Sequence, residues 1–150
     1  MVIINGIYSN LNIKALLKRE NEVGFLEGQW NLLGKIQNGR ENEIEASCFV
    51  PADSPWFEGH FPGEPILPGI AIVHTVRQAI LKDIQKKNES VLLDELRRIR
   101  FVRPVRPGEE LKITVSREDK GGEILFSFKV TNKENIACSG LIIGKKIKQR

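Results

Sequence analysis

The residue with the clearest capacity for chemistry is His60, one of two histidines in the 150-residue chain. It lies in the run 57–69, FEGHFPGEPILPG, where prolines fix φ and glycines permit close approach of the backbone. An imidazole with an ordinary pKa of about 6.5 exchanges protons near working pH. A stiff loop that holds such a ring predicts a general base.

The same loop leads directly into an apolar run, residues 70–84, which predicts a buried helix that stops near Asn88. The first N–H groups of a helix have no partner within the helix and carry partial positive charge. Near Gly69 and Ile70 these groups could polarise a substrate carbonyl. The loop and the helix start therefore predict one site that combines a base with carbonyl-binding N–H groups.

The loop resembles the motif of 3-hydroxyacyl-[acyl carrier protein] dehydratases of the FabZ/FabA type, which reads His-Phe-Pro-Gly-x-Pro-x-x-Pro-Gly before a helix. Residues 60–69 match every fixed position. The run 101–111, FVRPVRPGEEL, is similar to the family's Phe-x-x-Pro-Val-x-Pro-Gly-Asp-x-Leu, and Gln78 falls where the family carries a helical glutamine. The resemblance covers residues 43–143, whereas residues 1–40 diverge from the family.

His74 departs from the family pattern, which has Glu or Asp as the catalytic acid fourteen residues after the loop histidine. A histidine here is similar to dehydratase-like proteins of aryl polyene pathways. Two roles stay open: an acid that works with a neutral His60, which predicts a bell-shaped pH profile, or a buried histidine without proton transfer. Glu58 and Glu64 could replace the carboxylate, but both are predicted to face solvent.

The resemblance implies an α+β hot-dog fold, in which a curled antiparallel sheet wraps around one long helix. It implies dehydration of a 3-hydroxyacyl chain, carried on the phosphopantetheine of acyl carrier protein, to the trans-2-enoyl product in fatty acid or related lipid or polyene biosynthesis. No metal or other cofactor is implied. In the family the base and the acid come from opposite protomers, which implies a homodimer or higher homo-oligomer with shared sites.

The resemblance also implies roles for individual residues. His60 is the base, His74 the acid, Gly69 the N–H donor to the thioester oxygen, and Gln78 the residue that orients His74 or a water. A tunnel wall for the acyl chain is predicted from residues that would also suit an ordinary core: Phe61, Ile66, Leu67, Phe101 and Val102.

The composition predicts one domain, residues 1–150, since 41% of the residues are hydrophobic and the chain is short for two domains. The net charge of +4 is concentrated in a basic cluster. An acidic carrier protein is its predicted partner, with a solvated basic face as the alternative and no nucleic-acid motif present. The cluster consists of Arg97, Arg98, Arg100, Arg103 and Arg106.

Apolar alternation predicts strands on both sides of the helix. They are expected at 43–50, 96–105, 111–115, 124–130 and 136–143, with turns at 119–122 and 132–135 and a meander after the central helix. Residues 11–18 are expected to form a short helix, and residues 24–36 either a strand or a covering segment around Trp30. Cys48 and Cys138 lie in such alternations, which predicts buried free thiols and no metal site. No segment is apolar enough to cross a membrane, and the N-terminus lacks a basic leader region, so a cytoplasmic protein is expected.

Two other functions remain open. Acyl thioester hydrolysis occurs on hot-dog folds and would need Glu58 or Glu64 to activate water. A non-catalytic subunit that binds acyl chains or a carrier would keep the loop and lose the acid at position 74.

Overall fold

The computed structural model of the chain describes residues 30–57 and 63–148. These ranges form one antiparallel sheet in the order β1-β2-β4-β5-β6-β3, with a single long helix. The elements are β1 (Leu33–Asn38), β2 (Glu43–Phe49), α1 (Gly69–Lys86), β3 (Val91–Phe101), β4 (Glu110–Lys120), β5 (Glu123–Asn132) and β6 (Asn135–Lys146). A 3-10 turn at Pro55–Phe57 precedes the helix.

One face of the sheet packs on α1, because apolar residues alternate with polar ones along the strands. In β5 the buried positions are Ile124, Phe126, Phe128 and Val130. Every helix residue from Gly69 to Ile80 is buried, so the helix is enclosed on all sides. The predicted architecture of a sheet around a central helix is therefore confirmed.

Several predicted boundaries agree with the structure. The strand expected at 43–50 is β2, and the helix expected from residue 70 starts at Gly69 and ends before Asn88, whose φ is +54°. Gly121 and Gly122 have φ values of +57° and +88° and connect β4 to β5 as a two-residue turn. These positive φ values favour glycine, which confirms the turn predicted from the sequence.

Two predictions about the sheet were wrong. The strand expected at 96–105 is β3, which starts at Val91 and ends at Phe101; residues 102–109 form a loop, because Pro104 and Pro107 lack the N–H that a strand needs. The meander holds only for β4, β5 and β6, since β3 pairs with β6 at the sheet edge rather than with β4. The helix predicted at 11–18 lies outside the described residues, as do residues 24–29 of the segment 24–36, whose C-terminal part enters β1.

An ionic cluster fastens the C-terminal end of α1 to the sheet. Arg117 of β4 donates two hydrogen bonds to Glu89, from Nη1 at 2.6 Å and from Nη2 at 2.8 Å. Its Nε also donates to Asp119 at 2.8 Å. The hydrogen bonds from Arg117 lower the pKa of the Glu89 carboxyl, so this ion pair persists well into the acidic range. We call these three residues the Arg117 clamp.

Cys48 and Cys138 are both buried and free, as the sequence predicts. Burial raises the pKa of each thiol to about 12, so neither forms a thiolate at neutral pH. Among residues 30–57 and 63–148, no helix is long and apolar enough to cross a membrane, and no three metal-ligating side chains gather at one point.

Candidate active site

His60, the predicted base, belongs to residues 58–62, which the structure does not describe. The residues on either side of them are described. Glu58, His60 and Phe61 lie outside the described residues. On the N-terminal flank, Ser54 organises the turn, since its Oγ accepts a hydrogen bond from the Trp56 N–H at 3.3 Å. On the C-terminal flank, residues 63–68 lead into α1.

Both flanks of this segment are hydrogen-bonded to the loop 102–109. On one side, Val50 exchanges two backbone bonds with it: Val50 N–H donates to the Glu109 carbonyl at 3.1 Å, and Gly108 N–H donates to the Val50 carbonyl at 2.7 Å. On the other side, Leu67 N–H donates to the Val105 carbonyl at 2.7 Å. The two motifs that are separated in sequence are therefore joined in the fold, and we call this junction the motif clamp.

Gly69 starts the helix directly against the ring of Phe101. A Cβ at Gly69 would lie 2.5 to 2.9 Å from three atoms of this ring, closer than real side-chain contacts allow. Phe101 is itself buried and stands at the end of β3. The close contact fixes the position of the first helical N–H groups relative to the sheet.

The start of α1 keeps a positive electrostatic character. Pro68 is its N-cap and makes no side-chain capping bond, and the first turn contains no acidic residue. The N–H groups and the helix dipole at this point therefore favour an oxygen that carries negative charge. Gly69 is the first residue of this helix, and its role as the N–H donor to a thioester oxygen stays a prediction.

His74 lies one turn into the helix and is completely buried. Burial, with a smaller contribution from the positive charge of Arg77, lowers the pKa of His74 to about 4. At neutral pH the imidazole is therefore uncharged. Gln78, also buried, follows four residues later on the same helix face.

Two features of this site were not predicted as parts of it. Arg77 is fully buried, and burial lowers its pKa to about 10, so its guanidinium stays charged at neutral pH. The ring of Trp56 lies 6.2 Å from that of His74 and donates a hydrogen bond of 2.8 Å from Nε1 to the Trp30 carbonyl. The sequence does contain a signal for the role of Arg77 in this site. It is a charged residue within an otherwise apolar helical run, three residues after His74.

The predicted tunnel residues differ in exposure. Leu67 and Phe101 are buried, and Ile66 is half-buried. Val102 is 51% exposed in the single chain, so it borders no interior wall formed by this chain alone. Glu64 is exposed, as expected, and offers no buried carboxylate to the site.

The five arginines of the basic cluster do not form one surface. Arg97 is ion-paired with Glu95 and, at 3.3 Å, with Glu123. Arg98 and Arg100 line a groove on the face of the sheet that points away from α1. Only the last two, Arg103 and Arg106, lie on the loop of the motif clamp, where they border a cavity of about 300 Å³ together with Lys133.

The geometry combines a neutral buried imidazole, a buried amide and a positive helix start along one side of α1. A neutral imidazole can accept a proton at one nitrogen and donate from the other. Helix N–H groups can stabilise negative charge on a carbonyl oxygen. The described part of the site can therefore support proton transfer next to a thioester carbonyl.

Comparison with known proteins gives a consistent result. The model of the ApeI-like family, described as ApeI dehydratase, matches residues 36–141. The 3-hydroxyacyl-[acyl-carrier-protein] dehydratase FabZ of Clostridium perfringens is 31% identical over 117 residues, covering 75% of this chain and 84% of that protein. FabZ of Haemophilus influenzae is 34% identical over 128 residues, covering 79% of this chain and 76% of that protein.

Solved structures share the fold. An uncharacterised protein of Pyrococcus horikoshii superposes with a TM-score of 0.63 at 20% identity, covering 80% of this chain and 87% of its own. A chain of the dehydratase heterocomplex ApeI:P of Xenorhabdus doucetiae gives a TM-score of 0.58 at 21% identity, covering 77% and 98%. The predicted hot-dog fold is confirmed by these likenesses together with the observed sheet and helix.

Replacing Gly69 by alanine tests the contact that fixes the helix start. Within a helix alanine is normally favoured over glycine by about 0.5–1 kcal/mol, but here we expect Gly69→Ala to destabilise the fold by about 1–3 kcal/mol, because the Phe101 ring must move. The free energy of unfolding in urea measures the effect. In a double-mutant cycle Phe101→Leu should absorb much of the loss, and a Gly69→Ala variant as stable as the parent would contradict the contact.

The charge state of His74 can be measured directly by NMR titration of the two imidazoles. We expect one ring to titrate near pH 4, and Arg77→Met to raise that midpoint while leaving it below about 6.5, since burial remains. Because the unfolded chain takes up this proton near pH 6.5 and the folded chain does not, stability should fall on the order of 3 kcal/mol between pH 6.5 and 4. His74→Asn should remove that part of the pH dependence. A His74 midpoint at or above 6.5 would contradict the assignment.

Proposed function

The chain belongs to the ApeI-like dehydratase family, and from this premise we propose that it dehydrates 3-hydroxyacyl chains carried by acyl carrier protein to trans-2-enoyl products. The motif clamp supports the proposal most directly, because it holds both flanks of the histidine loop against the second family motif. We assign the reaction to fatty acid or related lipid or polyene biosynthesis. The chemistry consists of proton transfers, and we propose no cofactor for it.

His60 acts as the base in this proposal. It removes a proton from C2 of the substrate, and the electron pair moves toward the thioester carbonyl as the C2–H bond breaks. The N–H of Gly69 binds the carbonyl oxygen and stabilises its growing negative charge. The resulting enolate expels the C3 hydroxyl, which leaves as water once it has received a proton.

His74 delivers that proton without a permanent charge of its own. With a pKa of about 4 it is neutral above pH 5, so it cannot serve as a standing imidazolium acid. We propose that it relays the proton that His60 has taken from C2: one nitrogen of the His74 ring accepts this proton from His60, directly or through a water, while the other nitrogen releases its proton to the leaving hydroxyl, which departs as water. Gln78 lies one turn further along the helix and orients the ring or a water. A single ascending pH limb, set by His60, replaces the bell-shaped profile expected from the sequence.

We propose that the complete site requires two protomers, with His60 of one chain facing His74 of another. A homodimer is the first candidate. The structural neighbour from Xenorhabdus doucetiae is a dehydratase heterocomplex, which favours as second candidate a role beside a different dehydratase subunit. In that case this chain would bind the acyl chain or the carrier, and the acid would come from its partner.

The carrier protein docks, in our proposal, at the loop of the motif clamp. Arg103, Arg106 and Lys133 place three positive charges around one cavity at this end of the sheet. Arg103 and Arg106 belong to the loop that is hydrogen-bonded to Leu67, two residues before α1. A carrier protein bound there could therefore place its phosphopantetheine arm at the start of the helix. A cytoplasmic location and a single domain that includes residues 1–29 remain predictions.

Turnover of a 3-hydroxyacyl-carrier substrate by the purified chain tests the function. His60→Ala should lower kcat by about 10² to 10⁴, as expected for loss of a general base, and His74→Ala should lower it by at least about tenfold. Across pH 5 to 9 the rate should rise to a plateau. Lys35→Met on the distant strand β1 is a control that should leave the rate unchanged. Absence of turnover by the parent chain, with carrier binding retained, would contradict the dehydratase and favour the subunit role.

A comparison of two substrates tests the docking surface. Arg103→Met combined with Arg106→Met should raise KM for the carrier-linked substrate about tenfold, because electrostatic attraction to an acidic partner is lost. The same variant should process a free pantetheine thioester as the parent does. Arg40→Met combined with Lys35→Met removes two exposed positive charges at β1 and the β1–β2 turn and provides a control with an equal change of charge. Equal effects on both substrates would contradict carrier docking at this loop.

A further inference from the structure

A groove on the outer face of the sheet stands apart from the proposed active site. Its volume is about 450 Å³, and it lies on the side of the sheet that faces away from α1. Three cations and four hydroxyl groups line it, with no carboxylate among the lining residues. These residues are Arg98, Arg100 and Lys129 together with Thr114, Ser116, Ser127 and Ser139. We call it the outer groove.

The strand register explains why these side chains meet. Lys129 of β5 lies between Thr114 of β4 and Ser139 of β6, and Ser139 pairs in turn with Arg100 of β3. This row crosses four neighbouring strands, a distance of roughly 14 Å at the usual strand spacing. The inner neighbours of the row, such as Val130 and Cys138, are buried, so its own members point outward.

A bulge in β3 brings Arg98 to the same groove. Arg97 pairs with Leu141 and Arg100 with Ser139, so two residues of β3 stand opposite the single residue Gly140. Arg98 takes a φ of +55°, which is unfavourable for a residue with a side chain. Non-glycine residues in this conformation concentrate at binding and catalytic sites, where the strain serves to aim a side chain. Here the strained backbone places a second arginine beside Arg100.

Among the residues that the structure describes, no carboxylate neutralises the positive charge of the groove. Neighbouring carboxylates are engaged elsewhere: Glu45 pairs with Lys112 at 3.6 Å, and Glu95 and Glu123 pair with Arg97. Within residues 30–57 and 63–148, Arg98, Arg100 and Lys129 form no ion pair with a carboxylate. The groove therefore offers guanidinium and ammonium groups whose charge is available to a ligand.

We propose that the outer groove binds a small molecule that carries a phosphate or pyrophosphate group. Arginine forks and hydroxyl donors match the several oxygens of a phosphate, and three cations suit a group with more than one negative charge. The volume of the groove is suitable for a small ligand, and all three cations line this one groove on the outer face of the sheet. The site is separate from the carrier-docking loop and does not depend on the proposed reaction.

Titration of the ¹⁵N-labelled full chain with inorganic pyrophosphate at constant ionic strength tests this site. We expect saturable shifts confined to amides of residues 98–100, 114–116, 127–129 and 139–141. Arg98→Met combined with Arg100→Met should weaken binding at least about tenfold. Lys35→Met removes a cation from the same face outside the groove and should leave the affinity unchanged.

A second variant separates ligand binding from folding. Arg98→Gly removes the charge while relieving the strained φ, so it should fold at least as stably as the parent and still bind pyrophosphate more weakly. Shifts that do not saturate, or an affinity equal to that of the parent in both Arg98→Gly and the double variant, would overturn the proposal. Saturable binding of a polyglutamate peptide without saturable binding of pyrophosphate would also overturn it and assign the groove to protein docking.

Discussion

The active-site region depends on a small number of backbone hydrogen bonds between two loops. The loop after β3 bonds to Val50 on one side of the histidine segment and to Leu67 on the other. Because backbone groups make these bonds, they constrain the path of the chain rather than the identity of its side chains. Prolines in both loops reduce the number of conformations that must be frozen when the clamp forms. The two flanks of the segment that contains the predicted base are therefore held by the same loop, residues 102–109.

The central helix carries polar side chains in its buried part. His74, Arg77 and Gln78 lie within about one turn of the stretch from Gly69 to Ile80, which is buried throughout and, apart from these three residues and Thr75, carries no polar side chain. Burial chiefly, and the positive charge of Arg77 to a smaller extent, lower the pKa of His74, so the imidazole is uncharged at neutral pH. The buried stretch of the helix therefore combines a charged guanidinium with a neutral imidazole ring.

Much of this arrangement could be predicted from sequence because it rests on local signals. Alternation in β2, β4 and β5, the glycine pair at 121–122 and the helix stop at Asn88 each act over a few residues, and all were confirmed. The position of β3 depended on long-range pairing with β6, which local patterns do not encode. The division of the five arginines among an ion pair, a groove and a loop depended on a bulge at Arg98 that no sequence signal marked. The approach of the Trp56 ring to His74 likewise depended on the tertiary fold.

The two ends of α1 are fastened by different kinds of force. At its start Gly69 lies against an aromatic ring and backbone bonds link the flanking loops, whereas its end is held by the Arg117 clamp. Apolar packing is insensitive to salt and weakens on cooling, while ion pairs are screened by salt and lose strength when carboxylates are protonated. The two ends of the helix are therefore held by contacts that respond differently to the salt concentration and the pH of the solvent. A change of ionic strength therefore acts on the end of the helix that is remote from the predicted site, whereas the packing of Gly69 on Phe101 holds the start of the helix.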